Sequence, residues 1–276
     1  MFEYHPSSQH LAGKNILITG ASDGIGRANA ICFAEHGAEL LLLGRNQEKL
    51  EQLFDEIEEK SPGKVTIHPM DFAKARPEDY SGLADSLDEH FPVIDGLIHN
   101  AAQLGTLCPV EYYPDNDWET LINVNLNAVF HLTKAAMPSL KRSEDVRLLF
   151  ISSSVGRKGR AYWGGYGVSK FALEGLMQTL ADELSSTSNI RVNSLNPGGT
   201  RTAMRQAAYP AEDPHSQPEA ESLMPVYLYL LGPEAAHIHG QALDARGFDP
   251  STLNTVEGTL GQFSQQKQEE KVLPGS

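Results

Sequence analysis

The sequence predicts an α/β fold, a doubly wound parallel β-sheet covered by helices on both faces, in one domain. Two observations predict it. Short apolar runs of strand length alternate with segments of helical periodicity along most of the 276 residues. The conspicuous glycine and polar positions, Gly20, Gly44, Arg45, Asp71, Asn100, Ser153 and Pro197, all fall where an apolar run ends. Sheets of this class bind ligands beyond the carboxyl ends of their strands, so the convergence marks one edge as the functional one.

Residues 1–11 are mostly polar and read as a flexible N-terminus. Lys14 to Thr19 (KNILIT) is the first strand, and it runs straight into Gly20-Ala21-Ser22-Asp23-Gly24-Ile25-Gly26. A helix from about Ile25 to His36 follows, with Ile25, Ala28, Ile31 and Cys32 on one side, and Gly37 ends it. Strand, glycine-rich turn and helix together make a phosphate cradle. Glycine permits positive φ and close backbone approach, and the free N–H groups at the positive helix end attract a pyrophosphate. This is the dinucleotide-binding arrangement of a Rossmann fold.

Glu39 to Gly44 (ELLLLG) is the second strand. In NAD-binding folds this strand ends at an acidic residue that accepts from the ribose 2′-hydroxyl. Here it ends at Gly44-Arg45. A guanidinium in place of a carboxylate suits a 2′-phosphate, which favours NADP(H) over NAD(H). Asn46 caps the next helix, whose Leu50, Leu53, Phe54 and Ile57 follow i, i+3, i+4, i+7 spacing. Pro62-Gly63 is a turn.

Val65 to Met70 is the third strand, ending at Asp71-Phe72, and Pro77 opens a helix to about His90. Val93 to His99 is the fourth strand, ending at Asn100-Ala101-Ala102, small residues against which a flat ligand can lie. After a loop, one long helix is expected from about Asp117 to Lys141. It contains Asn123, Asn125 and Asn127, although asparagine is a mediocre helix former.

The fifth strand, Leu148 to Ser152, leads into SSVGRKGRAYWGGYGVSK, residues 153–170. A hydroxyl, Ser153, stands at the strand end. Tyr166 and Lys170 are an i, i+4 pair on one face of the helix expected from Tyr162 to Ser185. A phenol titrates near ~10 and is a poor acid–base group at neutral pH, but an adjacent cation favours the phenolate. Such a set can donate a proton to a carbonyl or take one from an alcohol. Ile190 to Leu195 is the sixth strand and stops at Asn196-Pro197-Gly198-Gly199-Thr200. Residues 202–221 are polar and proline-rich and read as a mobile loop. A helix from Leu223 to Leu231 and a short strand from Gln241 to Asp244 complete the domain, which spans 12–250. From Ser251 the chain is rich in Gln, Glu and Gly, and 251–276 is expected to be a disordered tail.

Composition narrows the function. The net charge of −14 argues against a nucleic-acid surface. The two cysteines, Cys32 and Cys108, suggest no disulfide framework, and no H-E-x-x-H or Cys/His cluster suggests a metal. No apolar run of membrane-spanning length and no signal-peptide core appear, so a soluble cytoplasmic protein with no membrane partner is expected. Leu104, Trp163, Met204 and Tyr209 stand near the expected mouth and suggest a partly apolar substrate pocket.

The chain resembles a short-chain dehydrogenase/reductase of the single-domain kind. The family's T-G-x-x-x-G-x-G is met by Thr19-Gly20, Gly24 and Gly26. Its S-x12-Y-x3-K is met by Ser153, Tyr166 and Lys170, and its P-G motif by Pro197-Gly198, with Thr200 and Thr202 just beyond. The likeness covers about 12–245. It implies that Tyr166 exchanges the proton and Ser153 hydrogen-bonds the substrate oxygen. Lys170 would lower the tyrosine's pKa and hold the nicotinamide ribose, and Asn125 would support a water relay. The resemblance matches Asp71 to the family's adenine-side aspartate. It places the cofactor along Gly20, Ser22, Asp23, Gly24, Ile25, Gly26, Arg45, Asp71, Phe72, Asn100, Ala101, Tyr166, Lys170, Pro197, Gly198, Thr200 and Thr202. One departure is Ala102, where the family has glycine. The implied activity is NADP(H)-dependent interconversion of a carbonyl and a secondary alcohol by a homodimer or homotetramer. A cofactor-binding scaffold or redox sensor, and a lyase or epimerase, are the alternatives on the same fold.

Overall fold

In the computed structural model, which describes residues 2–253, seven strands form one parallel sheet. They are β1 (Asn15–Thr19), β2 (Glu39–Gly44), β3 (Val65–Pro69), β4 (Gly96–His99), β5 (Val146–Ile151), β6 (Ile190–Asn196) and β7 (Ala242–Asp244), in the order β3-β2-β1-β4-β5-β6-β7. The helices are α1 (Gly24–Glu35), α2 (Gln47–Lys60), α3 (Pro77–His90), α4 (Asp115–Ile122), α5 (Ala128–Lys141), α6 (Gly164–Leu184), α7 (Ala203–Ala208) and α8 (Met224–Leu231). Strand order reverses between β1 and β4, which opens a crevice at their carboxyl ends.

Register explains why the strands read as continuous apolar runs. Leu41, Leu17, Leu97, Leu148 and Val192 are paired across five strands and face one side, where α3, α5 and α6 supply Leu83, Leu132 and Leu173. The next row, Leu42, Ile18, Ile98 and Leu149, faces the other side and meets Phe33 of α1 and Tyr227 of α8. Side chains alternate faces along a strand, so a sheet covered twice buries both faces of its central strands, β4 and β5 at every position. Each fully buried Leu or Phe contributes about 1.5–3 kcal/mol relative to exposure.

Four expectations are corrected. The long helix is not uninterrupted: Asn123–Asn127 form a π-helical turn between α4 and α5, at the asparagines whose low helix propensity made the stretch unusual. Residues 2–11 pack on the domain, contrary to the flexible N-terminus expected. Phe2 and Tyr4 meet Tyr229 edge-on at 5.5 and 5.3 Å, and Leu11 is buried. A few apolar anchors outweigh the polar composition of the stretch. Residues 202–221 carry α7 and are tied by Arg205–Glu212 and Arg201–Glu219, so the expected structureless loop is partly helical and pinned by charge. Of the expected tail, residues 251–253 belong to the described part, where a short 3₁₀ turn spans Pro250–Thr252 and Leu253 packs against the core. Residues 254–276 lie outside it.

Candidate active site

The glycine turn leaves β1 and enters α1 at the head of the crevice. Gly20 and Gly24 have φ of +65° and +50°, the region that favours glycine. Asp23 caps α1, accepting from the Gly24 N–H at 2.8 Å, and Lys49 donates to it at 2.5 Å, holding its carboxyl below the usual range. Gly26 has a different task from the one expected. It does not line the crevice; a Cβ there would meet the Gly20 carbonyl oxygen at 2.2 Å, so it permits the turn to close on α1. Asn100 braces the same turn from β4, its amide donating to the carbonyls of Thr19 at 3.1 Å and Gly20 at 3.2 Å. The Thr19 hydroxyl accepts from the backbone N–H groups of Asn100 and Ala101, both at 3.0 Å.

A cleft of about 370 Å³ runs from this turn along the carboxyl ends of the strands. Gly20, Ser22, Asp23, Gly24 and Ile25 line it at one end, with Arg45, Asp71, Phe72, Asn100 and Ala101 beside them. Tyr166, Lys170, Pro197 and Thr202 line the other end. Ala102 also lines it, and its φ is not positive, so the extra methyl costs no backbone strain. A second cavity of about 190 Å³ adjoins it, lined by Ser153, Gly198 and Thr200 and by all four residues expected near the mouth, Leu104, Trp163, Met204 and Tyr209. Tyr166 borders both.

Helix α6 places Tyr166 and Lys170 on one face, and both are buried. The Lys170 ammonium donates to the Ile151 carbonyl at 2.7 Å and lies 5.6 Å from the Tyr166 ring centre. Burial lowers the lysine to about 8, with the Glu174 carboxylate one turn on pulling the other way. The expected depression of Tyr166 is not what dominates here. Burial pushes the phenol up to about 12, and only the Ser153 hydroxyl draws it back. Desolvating a potential anion outweighs its favourable neighbours. Behind Lys170, His99 stacks on Phe150 and shares a 2.8 Å hydrogen bond with the Thr133 hydroxyl. Burial, joined by the Lys170 charge, lowers it to about 3, so it is neutral.

Asn125 sits at the centre of the π turn, buried behind the cleft rather than in it. Its side chain accepts from the Gln103 N–H at 2.7 Å and donates to the Gln103 carbonyl at 2.9 Å and the Ser169 hydroxyl at 3.0 Å. It ties the loop after β4 to α6, the helix of Tyr166 and Lys170. The sequence reading missed Ile151, whose contribution is a backbone carbonyl with no side-chain signal, and Arg160, which stood inside the quoted 153–170 stretch.

The sequence pattern of short chain dehydrogenases matches residues 14–213. The chain belongs to the short chain dehydrogenase family. Among its relatives in the family, the oxidoreductase YciK of Escherichia coli (strain K12) is 44% identical over 243 residues, 88% of this chain and 96% of that protein. A short chain dehydrogenase from Pseudomonas syringae, of solved structure, is 50% identical with a TM-score of 0.85, covering 89% of this chain and 100% of its own. Another from Escherichia coli CFT073, solved in complex with NADPH, is 45% identical with a TM-score of 0.84, covering 87% of this chain and 100% of its own. Membership of this oxidoreductase family accounts for the parallel sheet flanked by helices.

Proposed function

We propose that this short chain dehydrogenase is an NADP(H)-dependent oxidoreductase that interconverts a carbonyl and a secondary alcohol, working on a small molecule in the cytoplasm. One observation carries the reading: a single buried phenol, Tyr166, borders both the long cleft and the adjoining cavity. A dinucleotide fits the first. The glycine turn is closed to side chains, since a Cβ on Gly20 would come within 2.8 Å of the Ala101 Cα. The cleft begins at the N-terminus of α1 and passes an exposed cation, Arg45, at the end of β2. That NADPH accompanies a 45% identical family member in its crystal structure supports the choice of cofactor.

When bound, the cofactor supplies or accepts the hydride. Gly20 to Ile25 and the start of α1 would receive the pyrophosphate. Arg45 would meet the 2′-phosphate, and Asp71 and Phe72 the adenine side. Asn100 and Ala101 would form the floor, Pro197 to Thr202 the opposite wall, and Lys170 would hold the ribose. Ser153 would orient the carbonyl oxygen and Tyr166 would give it a proton. A phenol raised to about 12 keeps its proton at neutral pH, which favours its use as a donor in reduction. NADPH oxidation over a panel of ketones, whose reduction gives secondary alcohols, tests the reading. Tight NADPH binding with no turnover of any carbonyl would favour the scaffold instead.

Arg45 is expected to set cofactor preference. A charge-assisted contact contributes roughly 1.5–3 kcal/mol, so wild type should bind NADPH about ten- to a hundredfold tighter than NADH. Titration of both cofactors against wild type and Arg45→Ala should show the preference collapse in the variant. Equal affinities in the wild type would remove Arg45 from this role.

A homodimer or homotetramer is also proposed. Phe130 of α5 and Val168 and Phe171 of α6 are each nearly half exposed, apolar surface that a two-fold partner would cover. Light scattering at micromolar concentration should give a dimer or tetramer mass, and a monomer would contradict the proposal.

A further inference from the structure

The cavity beside Tyr166 has an outer wall that proton transfer does not need. From Tyr166 outward to the mouth the rings run in sequence, with Trp163 5.7 Å from Tyr166 and Tyr209 6.0 Å from Trp163, centre to centre. Two guanidinium groups lie on this wall. Arg205 stacks 3.8 Å from the Tyr209 ring centre, but its Nε and Nη2 both donate to the Glu212 carboxylate at 2.6 Å, which neutralises it. Arg160 lies 5.8 Å from the Trp163 ring centre, and its one side-chain hydrogen bond among the described residues goes from Nη1 to the Tyr209 hydroxyl at 3.0 Å. An exposed cation without a carboxylate partner among those residues thus stands at the mouth of a site in a protein of net charge −14.

The backbone around it is unusual. Tyr162, between Arg160 and Trp163, has φ +70°, the one non-glycine residue among those described with positive φ. Strain of this kind persists where the surroundings over-determine it, and it gathers at ligand clamps. Its effect here is that Tyr162 stands out in solvent, 63% exposed, while Arg160 and Trp163 on either side line the cavity.

We propose that this cavity selects carbonyl substrates that carry a carboxylate beyond a flat apolar body. Arg160 holds the carboxylate, Trp163 and Tyr209 flank the body, and the carbonyl lies at Tyr166. The proposal rests on the reading of Tyr166 as the proton donor. A planar guanidinium pairs with a carboxylate through parallel N–H bonds. The Tyr209 hydroxyl holds one corner of the fork, so less side-chain freedom is lost when the acid arrives. One free guanidinium suits a carboxylate's two oxygens; a phosphate dianion calls for a second cation, and Arg205 is already spent on Glu212.

The test uses 4-acetylbenzoate and its uncharged methyl ester. Calorimetric titration into full-length protein saturated with NADP⁺, where no reduction occurs, should show the acid binding roughly tenfold tighter than the ester. Arg160→Gln should erase that ratio and Arg160→Glu should reverse it, with thermal unfolding showing that both variants are folded. Equal binding of acid and ester by wild type, binding of neither, or a ratio unchanged in Arg160→Gln would overturn the proposal. A separate assay with NADPH follows reduction of both ketones. Arg160-dependent acid binding without NADPH oxidation would support the carboxylate site while overturning the redox reading of Tyr166.

Discussion

Tyr166→Phe is expected to lose about 10²–10⁴-fold of NADPH-dependent carbonyl reduction, the contribution typical of a positioned general acid, while NADPH affinity stays within a few-fold of wild type. The ring remains packed with Leu121, Val155 and Trp163, so what is removed is the hydroxyl alone. Stopped-flow NADPH oxidation beside an equilibrium cofactor titration separates the two effects. The direction of the phenol's shift adds a pH signature. A group raised to about 12 stays protonated through neutrality, so reduction should vary little between pH 6 and 8. Alcohol oxidation requires the phenolate and should accelerate as pH rises. Wild-type turnover in Tyr166→Phe would assign proton transfer to another group.

Lys170→Met is expected to abolish turnover, weaken NADPH binding and at the same time make the unliganded protein more stable. The ammonium is buried with one hydrogen bond, to the Ile151 carbonyl at 2.7 Å. Lowering it from 10.5 to about 8 corresponds to a cost of about 3 kcal/mol for keeping it charged, at ~1.4 kcal/mol per unit. Losing the bond to Ile151 returns about 1 kcal/mol. The remaining ~2 kcal/mol corresponds to a rise of roughly 4–8 °C in Tm for a chain of this size. Methionine fills the volume with a flexible apolar chain, and Glu174 keeps its bonds to Ser194 and Arg157. The sign of the pH dependence follows from a folded pKa below the unfolded one. Below pH 8 the lysine is charged in both states and the folded state bears the full cost. As pH rises from 8 to 10.5 the folded lysine is already neutral and the cost fades. The Tm advantage of the variant should therefore be largest below pH 8 and shrink toward pH 10.5. Differential scanning calorimetry across that range checks it, and a variant less stable than wild type at pH 7 would show that the site tolerates the charge without penalty. A stability gain at the cost of activity is the trade expected if Lys170 acts in catalysis as proposed.

The fold was legible in the sequence because its signals are local. Apolar runs such as ELLLLG of β2 coincide with strands, and helical spacing such as Leu50, Leu53 and Ile57 coincides with a buried helix face. The i, i+4 spacing that puts Tyr166 and Lys170 on one face needs nothing beyond the geometry of α6. The positions at strand ends were legible for the same reason, since a parallel sheet sends all its carboxyl ends to one edge.

What spacing could not supply is the surroundings of each group, because those are assembled from distant segments. Lys170 was expected to lower the phenol of Tyr166, yet burial among residues of several elements raises it. Gly26 looked like a ligand contact and instead lets the turn close on α1, and Asn100, which lines the cleft as expected, also braces that turn through the Thr19 and Gly20 carbonyls. Asn125 became intelligible once the π turn showed it bonded to Gln103 and Ser169, 22 and 44 residues away in the chain. Arg160 and Arg205 are the same residue type in sequence, and a carboxylate seven residues on, Glu212, neutralises one and not the other. Periodicity and motif spacing thus determined the architecture and picked out the groups proposed to react, because both depend on neighbours a few residues apart. Protonation state, bracing and the free charge at the mouth were decided by the tertiary structure, because desolvation and hydrogen bonding depend on which distant atoms the fold brings within a few ångströms.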